Sequence, residues 1–341
     1  PRGGRAGVAS FVKLGINMRA MICRAWGAPH QLRLEEIDPP QPAADQVLIK
    51  VKASCVNFAD TIMIRGHYQT RPNFPFAPGL EVCGEVLQCG GAVTRFKPGE
   101  RVMALVEHSG FAEQAVAKET DSFAVPAKMD DEAAATFLIG YISSHVAIRW
   151  QAKLEPSETM LVLGASGGVG LTAVEIGKAL GATVIAGTSS PEKLEIAKQR
   201  GADQLIDYKA NSLKKSVSEL TGGEGADVCY DPVGGELFDE ALSSLAWGGR
   251  ILVIGFVGGI PQIPANRLLV KHRSAMGSSL RYFRQRRPDQ LRASVEELVA
   301  WWQEGKLKPF VSQRFSLEQA PAAMNELLER RAIGRIAITI G

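Results

Sequence analysis

The sequence predicts an α/β protein built from a doubly wound parallel sheet and a second, antiparallel β domain. Three observations support this fold class. A short apolar strand at 160–163 precedes glycines spaced three residues apart and a helical segment at 168–180. From residue 129 onward helical and strand patterns alternate, which is typical of a parallel sheet. Residues 18–128 hold short β-branched runs broken by Pro and Gly, which are typical of antiparallel strands.

The glycine-spaced turn predicts a pyrophosphate-binding site. Its glycines let the backbone turn sharply and approach a phosphate with no Cβ in the way, and the helix N-terminus offers unpaired N–H groups to the anion. A second apolar strand follows, as a βαβ unit requires. The alternative is a glycine-rich turn without a ligand, but the strand and helix around it favour a dinucleotide. The residues expected to line the cradle are Gly164, Ser166, Gly167, Gly168, Val169 and Gly170.

The remaining patterns extend both domains. In the first, strands are expected at 47–52, 84–87, 101–106 and 111–116. In the second, a helix at 131–150 precedes a sheet of about six strands, with further strands at 183–186, 204–207, 228–231, 250–254 and 274–278 and helices at 191–200, 211–220 and 235–246. A helix at 289–304 and a strand-helix-strand tail ending at 336–340 are expected to return to the first domain. The predicted domains are therefore 18–130 with 284–341, and 131–283.

Composition narrows the class of protein. The 341 residues suit two domains, and 45% hydrophobic with 22% charged residues is typical of a globular chain. No apolar run reaches the ~18 residues of a membrane span, so no membrane association is expected. A net charge of +3 is too small to indicate nucleic acid as a partner. The five cysteines form no Cys-x-x-Cys pair, which favours a reducing, cytoplasmic compartment.

Residues 1–17 are set apart from the folded domains. They hold three basic residues and no acidic one, a pattern found in organelle-targeting segments. We expect either a disordered appended start or the remnant of a targeting segment, and the second reading would make a mitochondrial location possible.

Motifs along nearly the whole chain resemble the zinc-independent NADPH:quinone oxidoreductase (zeta-crystallin-like) branch of the medium-chain dehydrogenase/reductase superfamily. This resemblance implies a GroES-like antiparallel catalytic domain, a Rossmann cofactor domain, an active site in the cleft between them, and a homodimer. The matching motifs are Val56-Asn-Phe-Ala-Asp-Thr61, Gly66-His-Tyr68, Pro78-Gly-Leu-Glu-Val-Cys-Gly84, Pro98-Gly-Glu-Arg-Val102, Gly164-Ala-Ser-Gly-Gly-Val-Gly170, Asp231-Pro-Val-Gly-Gly235 and Trp247-Gly-Gly-Arg250.

The expected cofactor is NADPH. An NAD-selective Rossmann domain has an acidic residue after its second strand, whereas this chain continues Gly187-Thr-Ser-Ser190. By resemblance, Ser189, Lys193 and Tyr208 hold the 2′-phosphate, joined by Arg330 or Arg331. At the ends of the later strands, the residues expected against the cofactor are Val233, Gly255, Phe256, Val257 and Ser278.

No metal is expected. Related alcohol-oxidising enzymes use a catalytic zinc, but Asn57 and Leu80 occupy two of the matching ligand positions, and leucine cannot bind zinc. A quinone suits hydride transfer without a metal, because its second carbonyl disperses the incoming charge. By resemblance, Asn57 and Asp60 lie beside the nicotinamide, with Asn57 as a donor to the acceptor oxygen. Asp60 also suits a structural role at a helix start.

Tyr68 separates the leading activity from its main alternative. The matching tyrosine in related enoyl-thioester reductases protonates carbon, so an enoyl-thioester or alkenal double-bond reductase is the alternative enzyme. Tyr68 is otherwise a packing residue, and a catalytically idle NADPH-binding protein of crystallin or RNA-binding type is the alternative of another class. A basic segment with Lys271, Arg273 and 281–287 is either a solvated loop or a contact for a phosphorylated substrate or RNA.

Overall fold

The computed structural model describes residues 17–341. The expectation for residues 1–17 therefore falls almost entirely outside the described residues. Within the described part, short strands come first and a helix-strand alternation follows, as the residue patterns predict. Among these residues, no helix is both long and apolar enough to cross a bilayer.

The part of the chain before residue 130 is mostly extended. Its β-branched runs become strands because one face of each packs into an apolar core while turns with Gly and Pro separate them. The elements are β1 (Met18–Ile22), β2 (Arg33–Ile37), β3 (Gln46–Val56), α1 (Phe58–Met63), β4 (Glu81–Cys89), β5 (Arg101–Leu105), β6 (Gln114–Lys118) and β7 (Ser122–Ala124).

Helices and parallel strands alternate in the next part. The elements are α2 (Asp131–Ala135), α3 (Leu138–His145), β8 (Thr159–Leu163), α4 (Gly168–Ala179), β9 (Thr183–Thr188), α5 (Pro191–Gln199), β10 (Gln204–Asp207), α6 (Leu213–Leu220), β11 (Ala226–Asp231), α7 (Leu237–Ser243), β12 (Leu245–Val253), α8 (Ala265–Val270) and β13 (Ser274–Gly277). The remaining elements are α9 (Leu280–Arg286), α10 (Pro288–Gln303), β14 (Val311–Ser316), α11 (Ala320–Leu328) and β15 (Arg335–Thr339).

The parallel sheet has six strands in the order β10-β9-β8-β11-β12-β13, which confirms the doubly wound fold class. Within this sheet the chain enters at β8 and adds β9 and β10 on one side. It then adds β11, β12 and β13 on the other side of β8. The order therefore reverses between β8 and β11, and ligands of such sheets bind at that reversal, beyond the carboxyl ends of the strands. The glycine turn follows β8 and lies at this position.

The last two strands complete the other sheet. Its order is β14-β15-β3-β4-β5-β7, with β6 also paired to β3, and all pairs except β14 with β15 are antiparallel. The predicted return of the tail to the first domain is therefore confirmed. The exact domain boundaries at residues 130 and 284 stay predictions.

Two predicted helices differ from the structure. The helix expected at 131–150 is divided into α2 and α3 and ends in a π-helical turn, Val146–Gln151, because the chain bends after Thr136. The helix expected at 235–246 ends at Ser243, because Leu245 already pairs with Ala226 in the sheet. The short helices α8 and α9 were not predicted.

Gly170 tests the close packing of the turn. A Cβ at this position would lie 2.1 Å from the Gly164 carbonyl oxygen, whereas a Cβ at Gly91 would meet nothing within 4 Å. We expect Gly170→Ala to lower the free energy of unfolding by about 1–3 kcal/mol through overpacking. Gly91→Ala should change it by less than about 0.5 kcal/mol. Denaturant unfolding of both variants measures the difference, and equal stabilities would contradict this account of the turn.

Candidate cofactor and active site

The glycine turn is shaped by contacts that exclude side chains. Gly164 has φ +56°, and its carbonyl oxygen accepts a hydrogen bond from the Gly167 N–H at 2.9 Å. A Cβ on Gly168 would lie 3.0 Å from the Arg335 side chain. The first-turn N–H groups of α4 have no acceptors within the helix and are available to an anion. The cradle therefore fits a pyrophosphate group.

Two loops from neighbouring strands border this turn. Asp231 ends β11, and its Oδ1 accepts the Val233 and Gly234 N–H groups at 2.7 and 2.9 Å. This turn places the Val233 side chain 3.1 Å from a Cβ built on Gly164. The Gly258 N–H donates to the Val233 carbonyl at 2.7 Å, which holds the loop after β12 against it.

The residues predicted to contact the cofactor from the later strands lie along this edge. Phe256 and Val257 are exposed in the loop after β12. The Ser278 N–H donates to the Val253 carbonyl at 3.1 Å and so lies at the end of β13. The structure thus brings Val233 against the glycine turn and the loop of Gly255, Phe256 and Val257 against the segment that holds Val233, with Ser278 further along the same sheet edge.

A cationic corner lies at the end of β9. Its last residue, Thr188, is buried, and its hydroxyl donates to the Ser190 carbonyl at 3.0 Å, so no acidic side chain stands there. The Lys193 ammonium lies 3.4 Å from the Arg330 carbonyl oxygen. Burial raises the pKa of the Tyr208 phenol, and Ser189 and Arg330 act against this shift from close by. Ser189, Lys193, Tyr208 and Arg330 therefore lie in one region at the end of β9, and their binding of a 2′-phosphate stays a prediction.

The structure distinguishes the two C-terminal arginines. Arg330 adopts a left-handed backbone conformation, φ +58°, and its guanidinium donates to the Val257 carbonyl at 2.8 Å. Arg331 is instead paired with Glu326 and Glu329. Of the two, Arg330 is the arginine that lies beside Lys193 and the loop after β12, and its contact with a 2′-phosphate stays a prediction.

A buried polar network surrounds Asn57, which precedes α1. The Asp60 carboxylate accepts the Asn57 N–H at 2.7 Å and the Gly79 N–H at 3.0 Å. The Asn57 side-chain amide donates to Glu81 at 3.0 Å and accepts from the Arg335 guanidinium at 2.9 Å. Arg335 also forms an ion pair with Glu81, and both side chains are more than nine-tenths buried. Every group of Asn57 therefore has a protein partner in this structure.

This network bears on the roles predicted for Asn57 and Asp60. A donor to an acceptor oxygen needs a free N–H, whereas the Asn57 amide already donates to Glu81 and, at 3.4 Å, to the Cys55 carbonyl. The role of Asn57 as a donor stays a prediction, and it requires one of these hydrogen bonds to exchange. Asp60 holds two backbone groups in place, in agreement with the structural role considered for it.

Tyr68 differs from Asn57 and Asp60, because the polar groups of those two residues are already bound by the protein. Its ring packs against the core of the antiparallel part, and its hydroxyl has no hydrogen-bond partner among residues 17–341. Burial raises the pKa of the phenol, Asp60 acts in the same direction, and Arg281 acts against it. The phenol is therefore protonated at neutral pH and able to donate a hydrogen bond to a ligand.

Glu81 and Arg335 also lie in the buried network around Asn57, although the sequence patterns do not single them out. Arg335 begins β15, and the preceding residue, Gly334, donates its N–H to the Ser166 carbonyl in the glycine turn at 2.8 Å. The Arg335 Nε has no hydrogen-bond partner among the described residues, and the Cδ and Nη1 of the same side chain lie 3.0 and 3.1 Å from a Cβ built on Gly168, while its charge is paired with Glu81. Each of these two residues begins a strand and is followed by three residues without charge, Val-Cys-Gly after Glu81 and Ile-Ala-Ile after Arg335, which is the signal the sequence offers.

Neither of the two positions matched to zinc ligands offers a free ligand atom in this fold. Leu80 is buried in the apolar core, and Asn57 is held in the network. Among the described residues, no three His, Cys, Asp or Glu side chains gather as a metal site would require. The five cysteines are unpaired, and all except the half-buried Cys89 are buried.

The parallel sheet with its glycine turn and the antiparallel part together are the fold of a class of dinucleotide-dependent oxidoreductases. Comparison with known families agrees with this class: residues 43–153 match the alcohol dehydrogenase GroES-like domain, and residues 168–300 match the zinc-binding dehydrogenase domain. The chain belongs to the quinone oxidoreductase branch of the medium-chain dehydrogenase/reductase superfamily, which confirms the resemblance found in the sequence.

Individual relatives cover almost the full chain. The quinone oxidoreductase-like protein 2 homolog of Nematostella vectensis is 36% identical over 94% of this chain and 88% of its own length. The mycobacterial protein Rv1454c complexed with NADPH is 31% identical, with a TM-score of 0.88 over 94% of this chain and 99% of that one. The Escherichia coli quinone oxidoreductase complexed with NADPH is 27% identical, with a TM-score of 0.89 over 94% and 99%.

Asp60 gives a pH-dependent prediction. Burial raises its pKa to about 7, so the folded state binds this proton more tightly than the unfolded chain does. The stability that this carboxyl contributes is fully present below about pH 4 and is lost as the pH rises through about 7. Asp60→Asn removes this titration and one backbone acceptor, so we expect a loss of about 1–3 kcal/mol.

The loss of unfolding free energy caused by Asp60→Asn should be larger at about pH 5 than at about pH 8. The reason is that the contribution of residue 60 falls between these two pH values only in the wild type. Denaturant unfolding at both values measures it, with the exposed Asp45→Asn as the control. A loss that is the same at both values, or that grows with pH, would contradict the raised pKa.

Proposed function

We propose that the protein is an NADPH-dependent reductase that transfers hydride from the nicotinamide to a quinone. The observation that carries the cofactor choice is the corner of Ser189, Lys193, Tyr208 and Arg330, where an NAD-selective fold has an acidic residue. The NADPH complexes of the mycobacterial and Escherichia coli relatives support the same choice. The relatives named quinone oxidoreductase support the acceptor class.

The bound cofactor supplies the hydride, and the chain supplies position and hydrogen bonds. The N-terminus of α4 offers unpaired N–H groups to the pyrophosphate, while Val233 packs beside the turn. Tyr68 offers a protonated phenol to an acceptor oxygen. A quinone needs no stronger electrophilic assistance, because the charge that hydride delivers is shared between its two oxygens. The reaction we propose therefore proceeds without zinc, in agreement with Asn57 and Leu80 at the ligand positions.

The assembly we propose is the homodimer that the resemblance implies. Strand β13 is one of the two edge strands of the parallel sheet, and an unpaired edge is a ready site for a second sheet. Large apolar side chains near this edge are exposed in the single chain: Trp247 73%, Leu269 78% and Val270 77%. Pairing with a second copy would cover them.

Lys193→Ala tests the cofactor assignment. A hydrogen bond to a charged partner contributes about 1.5–3 kcal/mol, so NADPH should bind about ten- to a hundredfold more weakly. NADH binding should be nearly unchanged, because NADH carries no 2′-phosphate. Fluorescence titration of both cofactors measures the effect, and Lys198→Ala, an exposed lysine on the same helix, is the control. Equal losses for NADPH and NADH would overturn the assignment.

Tyr68→Phe tests the reaction class. A quinone can take its protons from water at oxygen, so we expect only a few-fold fall in kcat when the phenol is removed. Protonation of carbon needs a positioned acid, and its loss costs on the order of 10²–10⁴ in rate. Steady-state NADPH oxidation with a quinone and with an enoyl thioester measures both, and the exposed Tyr282→Phe is the control.

Preferred turnover of the enoyl thioester, together with a collapse of rate in Tyr68→Phe, would assign the chain to the double-bond reductases. Tight NADPH binding without turnover of quinones, enoyl thioesters or alkenals would instead favour the idle cofactor-binding protein.

A further inference from the structure

A buried carboxylate on α4 joins the end of α5 to the segment before β14. The side chain of Glu175 is only 4% exposed, and its Oε1 accepts from the Arg200 guanidinium at 3.3 Å. Its Oε2 accepts from the Tyr141 hydroxyl at 2.5 Å and from the Lys308 N–H at 3.2 Å. The Arg200 guanidinium also donates to the Lys308 carbonyl at 2.6 Å. Glu175 and Arg200 therefore hold both backbone groups of residue 308.

The same guanidinium contacts the ring of Phe310. The Arg200 Cζ lies 4.8 Å from the centre of this ring, a distance at which a cation and an aromatic face attract one another. The Phe310 carbonyl accepts the Arg335 N–H at 2.9 Å. The ring also lies against Gly334, because a Cβ built on Gly334 would be 2.5 Å from the Phe310 Cδ1. Phe310 thus fixes the backbone at 334–335.

Gly334 connects this arrangement to the glycine turn. Its N–H donates to the Ser166 carbonyl in the turn at 2.8 Å. One small cavity is lined by Gly168 of the turn together with Glu175 and Phe310, so the turn and the buried carboxylate pack around the same space. A contiguous series of contacts therefore runs from the ion pair to the turn, and such a series can transmit a local change.

We propose that Glu175 and Arg200 are positioning residues of the glycine turn. They fix the segment 308–310, this segment fixes Gly334, and Gly334 sets the position of the turn. This inference rests on the proposed function for the dinucleotide that the turn binds. A pyrophosphate group is common to NADPH and NADH, so the ion pair should affect the binding of both, whereas Lys193 should affect only NADPH.

Arg200→Met tests the proposal. It removes the charge and the hydrogen bonds to residues 175 and 308, and it keeps a long apolar side chain beside the Phe310 ring. The Kd of NADPH and the Kd of NADH should both rise by about three- to thirtyfold, because changes along a packed network alter coupling by this amount. The KM of the quinone should stay the same, because the acceptor is not bound by this series of contacts.

Two further variants follow the same path. Arg200→Lys keeps a positive charge and should restore part of the affinity for both cofactors. Phe310→Leu removes the ring that contacts Arg200 and Gly334. It should weaken both cofactors in the same way, and it carries the test where Arg200→Met does not fold.

Arg250→Met is the control for a purely structural loss. Arg250 forms an ion pair with Glu158 at 2.6 Å, and its side chain is 17% exposed, against 16% for Arg200. It pairs with Ser274, the first residue of β13, so it lies away from the carboxyl ends of the strands. This variant should lose stability and bind both cofactors normally. Fluorescence titration measures the Kd values, and circular dichroism shows whether each variant is folded at the temperature used.

The outcomes separate this inference from the proposed function. Unchanged affinities in Arg200→Met, or an equal loss in Arg250→Met, overturn the inference even where quinones are reduced. A loss confined to NADPH also overturns it, because the pyrophosphate would then be unaffected. A wild type that prefers NADH contradicts the proposed cofactor choice, but the inference is still supported when both affinities fall together in Arg200→Met.

Discussion

The buried ion pair between Glu81 and Arg335 is the interaction on which the arrangement of the site depends. Removing a guanidinium and a carboxylate from water costs free energy. That cost is offset only when the two groups pair with one another and their remaining polar atoms form further hydrogen bonds. Here Asn57 and the Ile139 N–H supply those bonds, the latter at 2.8 Å to Glu81. One cluster thereby fixes β4, β15, the start of α1 and the start of α3.

The same cluster connects the two sheets at the cofactor cradle. Gly334, next to Arg335, pairs with Gly167 in the glycine turn and has φ +63°. A side chain there would meet Phe310 at 2.5 Å, so only glycine allows this close approach. Gly334 contacts the glycine turn and Arg335 contacts Asn57 and Glu81. These two adjacent residues thus fix the turn relative to the predicted active-site residues. A second connection, Arg284 with Asp121, fixes α9 across the cleft at a distance from the first.

Local patterns predicted the fold well because they report local physics. The glycine spacing, the apolar strand before it and the missing acid after β9 each involve only a few neighbouring residues, and the structure has the predicted strand, turn and helix at these positions. The cofactor contacts assigned to them stay predictions. The sequence does not distinguish Arg330 from Arg331, because the difference lies in the left-handed backbone of Arg330 and in the ion pairs of Arg331 with Glu326 and Glu329. The helix expected at 131–150 was wrong in its continuity, because tertiary packing bends the chain there.

Long-range pairing explains what the sequence did not show. Arg335 meets Asn57 across 278 residues and Glu81 across 254, and no spacing rule connects such positions. Asn57 illustrates the consequence: its residue type suggested a free donor, while its surroundings satisfy both ends of its amide. The spacing of the basic segment 271–287 likewise does not show that Arg273 and Arg284 are bound by distant parts of the chain.

The pairing of β15 with β3 also sets an order for folding during synthesis. Ribosomes deliver a chain from its N-terminus, and domains generally fold as they emerge. Strand β3 must wait for β15, because Ala337 and Ile338 fill its free edge opposite Cys55 and Ser54. The parallel sheet is complete by residue 277 and has no such dependence. We therefore expect the half that holds the parallel sheet to fold first. The antiparallel half, whose strands come from both ends of the chain, then completes its sheet against the folded half.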